Sequence, residues 1–329
     1  MKQKLLNNIM EQTLTLSDIG IDTLRGLTAN PKYLLPKYFY DDNGSRIFQD
    51  IMDMQEYYLT KSELEIFETY KEQIANLLIE GTDNMEVIEL GSGDGTKTMV
   101  LLKELFISNV NLKYLPLDIS RKANEELATT LNVEIPELTI EPKTGDYFNI
   151  LNELNKKSDV RRVILFLGAN IGNYSSQEME FFIHKLSGIM LPGDKILTGF
   201  DLKKSPKIIM KAYDDAYGHT KKFNINHLKR INKELGGNFN TNKFEHHTEY
   251  NPLTGAVKSY LISNTSQNVY IQALGQNFSF YKWEPVFMEQ SRKFDAKTIQ
   301  KLANDFEFII EQNFYDSNNY FVDSLWSRR

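Results

Sequence analysis

Met85-Glu-Val-Ile-Glu-Leu-Gly-Ser-Gly-Asp-Gly95 is an apolar run that stops in three glycines, and Thr96-Lys-Thr-Met-Val-Leu-Leu102 follows as the start of a helix. The run reads as a buried parallel strand with an acidic residue near its end. Glycine lets the backbone turn sharply and approach a ligand closely, and a helix beginning near Thr96 points its first N–H groups at whatever sits there. This is the layout of a nucleotide-cofactor site, although a plain tight turn would carry the same glycines. Working outward, Tyr114-Leu-Pro-Leu-Asp118 reads as a second strand ending in a carboxylate, suited to accept from both hydroxyls of a ribose. Gly145-Asp146-Tyr147 reads as a third strand end, with a carboxylate for the exocyclic amine of an adenine and an aromatic ring for its face.

The glycine spacing is G-x-G-x-G, not the G-x-G-x-x-G of dinucleotide binders. Glu89, just before the first glycine, would sit poorly beside a pyrophosphate but suits the cationic amino end of S-adenosylmethionine. The three strand ends in this order predict an α/β fold, a Rossmann-like class I methyltransferase sheet. The surrounding pattern agrees: a helical stretch over 61–80, helices near 121–132 and 176–190, a strand near 137–141, the buried strand Arg161-Arg-Val-Ile-Leu-Phe-Leu167, and a strand over 194–200. Two further strands, 306–314 and 319–325, are expected to close the sheet as an antiparallel hairpin. Residues 1–60 and 201–291 do not alternate in this way; they hold a helical stretch around 206–235 and several strands from 244 to 290. The expected organisation is therefore a cofactor domain of 61–200 with 292–329, and an inserted α+β substrate-binding domain of 1–60 with 201–291.

At 329 residues the chain exceeds the ~250–300 at which a single core stops growing, which also favours two domains. The net charge of −6, with Lys and Arg scattered, argues against nucleic acid as a partner. No apolar run approaches the ~20 residues that span a bilayer, and the polar start has no signal-peptide core, so a cytoplasmic protein without membrane partners is expected. There is no cysteine, hence no disulfide or thiolate chemistry. The one other metal candidate, Glu245-His-His247, puts adjacent histidines on opposite faces of a strand and reads as ordinary strand; no metal is expected.

The segments Tyr38-Phe-Tyr-Asp-Asp-Asn-Gly-Ser-Arg-Ile-Phe48, Glu56-Tyr-Tyr-Leu-Thr-Lys61, Glu89-Leu-Gly-Ser-Gly93, Ile171-Gly-Asn173, Ala212-Tyr-Asp-Asp215 and Glu289-Gln-Ser-Arg-Lys-Phe294 together resemble the L-histidine Nα-methyltransferases of ergothioneine biosynthesis. The likeness runs over nearly the whole chain, spacings included. It implies transfer of three methyl groups from S-adenosylmethionine to the α-amine of L-histidine, forming the betaine hercynine, by a protein expected to act as a monomer.

The resemblance also implies roles. Gly91, Lys97, Asp118, Asp146 and Tyr147 match the cofactor-binding positions, with Lys97 neutralising the methionine carboxylate. A solvated first-turn lysine is the plainer reading of that residue. Asn173 and Tyr57 match the positions that hold the substrate amine, where neutral acceptors orient the nitrogen without stabilising the unreactive ammonium. Tyr57 also reads as a core aromatic. Tyr213 matches the contact to the substrate carboxylate and Tyr40 a second pocket tyrosine. Glu289 and Ser291 match the imidazole-reading pair, and their i, i+2 spacing puts both on one face of a strand, as any alternating surface strand would. Ser259 departs from the pattern, standing where relatives carry a bulky methionine near the ring. Two alternatives follow: a relative acting on another amine, such as an indole-bearing amino acid, and a non-catalytic S-adenosylmethionine-binding protein.

Overall fold

A computed structural model of the chain describes residues 16–108, 110–118, 121–145, 147–153 and 160–329. The chain divides into two compact units, Met1–Tyr57 with Ser205–Ser291, and Tyr58–Lys204 with Arg292–Arg329. Among the described residues the strands are, in chain order, β1 (Lys32–Tyr33), β2 (Asn84–Leu90), β3 (Asn111–Asp118), β4 (Thr139–Ile140), β5 (Lys143–Thr144), β6 (Arg161–Phe166) and β7 (Lys195–Asp201). They continue as β8 (Phe244–Asn251), β9 (Ala256–Ser263), β10 (Gln267–Ile271), β11 (Gln276–Phe280), β12 (Pro285–Arg292), β13 (Phe308–Tyr315) and β14 (Phe321–Arg328).

The second unit is built on a sheet ordered β13-β14-β7-β6-β2-β3-β4, with β5 also pairing β3. Pairing is parallel from β7 through β6, β2 and β3 to β4, and the hairpin β13–β14 joins β7 antiparallel, as the alternation and the two terminal strands predict. Val163 to Phe166 are all buried, because helices cover both faces and leave no solvated side on which polar residues would alternate. Ile88, Leu115, Ile164 and Ile196 from four adjacent strands pack with Phe182, Leu186, Phe200 and Trp326. The helix Ser176–Ile189 starts on a capping box: Ser175 Oγ accepts from Glu178 N at 3.3 Å and the Glu178 carboxylate accepts from Ser175 N at 2.8 Å. The chain winds outward in both directions from β2 and β6, so the crevice of this sheet opens at the carboxyl ends of those two strands.

The first unit carries the sheet β1-β12-β9-β8 and the hairpin β10–β11. Its core gathers Leu27, Leu34, Phe39, Phe223, Leu228, Ile231, Phe244, Leu261, Val286 and Met288. The stretch 206–235, continuous in the sequence reading, is two helices, Pro206–Tyr213 and His219–Leu235. The break is chemical: Gly218 takes a φ of +71°, and the Asp215 carboxylate accepts from His219 N and Thr220 N at 2.8 Å each, starting a new helix. Tyr213 therefore ends a helix. His227 is fully buried in this core with neither ring nitrogen bonded, edge-on to Phe39 at 5.4 Å between centroids. Among the described residues no helix is long and apolar enough to cross a membrane.

Candidate active site

At the carboxyl end of β2, Gly91 has a φ of +78°, and a Cβ there would lie 2.8 Å from the Tyr147 hydroxyl oxygen. Glycine is required on both counts, since an L side chain would be strained and would collide with the tyrosine. Gly91 N donates to Leu117 O at 2.8 Å, tying the loop to the end of β3, where half-buried Asp118 is the last residue. Tyr147 does not end a strand: β5 stops at Thr144, and Tyr147 is the first residue of the helix Tyr147–Glu153. Asp146 lies outside the described residues. The start of the helix Thr96–Ile107 also differs from expectation, because Thr96 N is already taken by the Asp94 carboxylate at 3.0 Å. An acidic group at that helix start disfavours a pyrophosphate and fits a cofactor whose reactive end is cationic.

Glu89 is buried, with one oxygen accepting from Thr98 Oγ1 at 2.6 Å and the other from the Tyr114 hydroxyl. Burial pushes its carboxyl up to about 7, against the pull of those two donors. Both oxygens are engaged within the fold, so an amino group would meet Glu89 only in addition to these bonds. Lys97 is half-buried, not free in solvent. Its ammonium is ion-paired with Glu63, on the helix Tyr58–Ile79; burial alone would depress the ammonium, but the charge and hydrogen bond of Glu63 outweigh it and hold the lysine above its ordinary value. Glu63 itself is 0% exposed and accepts from Gly168 N at 2.7 Å. Asp323, on β14, is equally buried, and no protein N–H or O–H donor reaches its oxygens. Burial first, and then the charge of Glu63, raise it well above the carboxylate range.

After β6 the chain turns through Gly168 and Ala169, a non-glycine residue held left-handed at φ +55°, into a 3-10 turn over Asn170–Asn173. That backbone costs an L-residue ~1–2 kcal/mol, a strain typical of functional loops. Asn173 is exposed at its end, while Gly172 is packed so closely on Arg292 that a Cβ would lie 2.8 Å from the Arg292 carbonyl oxygen.

The remaining candidate residues belong to the first unit. The Tyr213 hydroxyl donates to Ser291 Oγ at 2.9 Å, with both residues buried. Glu289 lies two residues earlier on the same strand and accepts from Asn224 Nδ2 at 3.5 Å. Tyr57 is edge-on to Tyr213 at 6.2 Å and to Phe48 at 6.3 Å between centroids, and exposed Tyr40 packs on Phe48 and Phe223. Ser259 is buried on β9, the neighbour of β12, and its hydroxyl has no partner. Thus Tyr40, Tyr57, Tyr213, Ser259, Glu289 and Ser291 lie in one unit, and Gly91, Lys97, Asp118, Tyr147 and Asn173 in the other. Sequence reasoning missed Glu63, Asp323 and Asn224. The first two leave a signal: a carboxylate inside the apolar run Phe321-Val-Asp-Ser-Leu-Trp326, and one among the core-facing Leu59, Ile66 and Phe67, need a partner to be buried. Among the described residues no group of three His, Cys, Asp or Glu is placed to hold a metal; His246 is an inward strand residue whose ring burial depresses to about 4.

The family described as histidine-specific, S-adenosylmethionine-dependent methyltransferase matches residues 19–328. The chain is similar to a histidine N-alpha-methyltransferase of Mycolicibacterium smegmatis, 34% identical over 278 residues that cover 84% of this chain and 85% of that protein. It is 28% identical over 298 residues to ergothioneine biosynthesis protein 1 of Schizosaccharomyces pombe, covering 86% of this chain and 38% of that longer protein. An L-tryptophan methyltransferase of Psilocybe serbica is 29% identical over 296 residues, 82% of each chain.

Proposed function

Because the chain belongs to the histidine-specific, S-adenosylmethionine-dependent methyltransferase family, we propose that it transfers three methyl groups to the α-amine of free L-histidine and releases hercynine. The observation that supports the substrate reading is the linked polar set in the first unit, Tyr213 with Ser291 and Glu289 with Asn224. A carboxylate and a hydroxyl on one strand face suit the two nitrogens of an imidazole, and a phenol suits the amino-acid carboxylate. The reading takes the protein as a monomeric cytoplasmic enzyme, with no nucleic acid among its partners.

Gly91, Lys97, Asp118 and Tyr147 would hold the cofactor, and the tight turn at Gly91, the ammonium of Lys97 and the acidic helix start at Asp94 fit such a molecule. When bound, S-adenosylmethionine supplies an electrophilic methyl group on a sulfonium. The residues of this chain have little acid–base work to do, because a neutral amine displaces the methyl in line and alignment is the main task. Asn173 and Tyr57 are assigned to the amine as neutral acceptors. A peptide α-amine has a reference pKa of about 7.7–8.0, so the reactive form is a minority at neutral pH and turnover should rise with pH.

A second reading, tryptophan or a related indole amine, is favoured by buried Ser259 and by the likeness to the Psilocybe enzyme. Incubation with S-adenosylmethionine and either amino acid, followed by mass spectrometry, tests both. Mono-, di- and trimethylated histidine are expected; methylation of tryptophan alone would replace the histidine reading.

A further inference from the structure

The buried carboxyl pair in the second unit has no role in the reaction as described above. Glu63 reaches two places at once. Its carboxylate takes the ammonium of Lys97, the second residue of the helix that follows the glycine loop, and it also takes the backbone N–H of Gly168 in the loop after β6. These two loops follow β2 and β6, the strands at which the winding of the sheet reverses. The fold makes room for this carboxylate: a Cβ at Gly199 on β7 would run into Glu63 Oε1, and Gly199 is the register partner of Asp323. Asp323 is buried beside it, its own carboxyl raised by burial and by the charge of Glu63.

We propose that Glu63 is a positioning residue of the cofactor site, holding the Lys97 ammonium and the Gly168 loop as one unit so that Lys97 is presented to the carboxylate of the cofactor's amino-acid end. The inference rests on the family reading of Lys97. A half-buried ammonium is held in one place by a fixed counter-charge, and Glu63, itself fully buried, is the carboxylate bonded to it. Two other carboxyls act on the lysine less strongly than Glu63: buried Asp323, and Glu89, whose oxygens are engaged by Thr98 and Tyr114.

The test is calorimetric binding of S-adenosylhomocysteine, which carries the amino-acid end, and of 5′-methylthioadenosine, which lacks it. Glu63→Gln keeps an acceptor for Gly168 but removes the charge from Lys97. It should weaken S-adenosylhomocysteine by about tenfold or more and leave methylthioadenosine within about twofold. Lys97→Ala should show the same selectivity, and the double variant should be little worse than either single one. Glu63→Asp, too short to reach both partners, should give the same selective loss and serves if Glu63→Gln does not fold. Equal weakening of both ligands in the Glu63 variants, or no weakening while Lys97→Ala discriminates, overturns the proposal. Loss of discrimination in Lys97→Ala instead removes the reading of Lys97 on which it stands.

Discussion

Tyr213→Phe is the sharpest probe of the amino-acid subsite, because its hydroxyl has a defined partner before any substrate arrives. The hydroxyl proton points at Ser291 Oγ at 2.9 Å, and both residues are buried, so no solvent competes for it. A phenol has one proton to donate. To bind a substrate carboxylate, Tyr213 must give up the bond to Ser291. A hydrogen bond to a charged group is worth about 1.5–3 kcal/mol and a neutral one about 0.5–1.5 kcal/mol, so the net gain is about 1–1.5 kcal/mol. Deleting the hydroxyl should therefore lower kcat/KM for histidine by roughly five- to twelvefold, well short of the hundredfold or so that an uncommitted donor could give. Histamine, which has no carboxylate, should change by no more than about twofold, since only the neutral exchange with Ser291 is lost. S-adenosylhomocysteine affinity, measured by calorimetry, should not move. Equal losses for histidine and histamine would refute the reasoning and return Tyr213 to a packing role beside Tyr57.

Glu289→Ala should reduce turnover of histidine and narrow its advantage over phenylalanine, since a site built to hydrogen-bond a ring can reject an analogue lacking the nitrogens by up to ~10⁴-fold. Comparing kcat/KM for both substrates checks this, and an unchanged ratio would mean Glu289 does not read the ring. His227 gives a pH prediction. Burial lowers its imidazole to about 3 in the folded protein, below the unfolded value of about 6.5, so its contribution is fully present above pH ~6.5 and is lost as pH falls towards 3. His227→Phe should remove about 2–3 kcal/mol of the acid destabilisation between pH 7 and 4.5. Urea midpoints at the two pH values measure it; parallel profiles for parent and variant would contradict it.

The sheet was legible because its signals are local. The run Met85 to Leu90 ends in glycines, Arg161 to Phe166 has no polar alternation, and the hairpin strands carry their own turn. The helix break at Gly218 was missed because the apolar spacing on either side continues the same phase, and only the capping geometry of Asp215 reveals the stop. Lys97 shows a different limit. Its type and place after the glycines are plain in the sequence, but its state depends on Glu63, 34 residues away, and on the distant Asp323. A pairing made by packing leaves no spacing to read. Asn224 is hidden for the same reason, one polar residue among several on a helix, distinguished only by its approach to Glu289.

The pairing of β1 with β12 carries a consequence for how the chain is made. Lys32 Nζ meets Glu284 Oε1 at 2.5 Å across 252 residues of sequence. At a synthesis rate of ~5–20 residues per second, roughly 13 to 50 seconds separate the appearance of the two partners. For that interval Leu27, Leu34 and Phe39 have been made without the strand that completes their core, while the segment that forms the parallel sheet is emerging. The early residues thus spend tens of seconds as an apolar stretch with an unpaired strand edge, open to other chains. Crowding on a polysome should therefore lower the yield of native protein more than the stability of the finished fold would suggest, and slowing initiation should recover it.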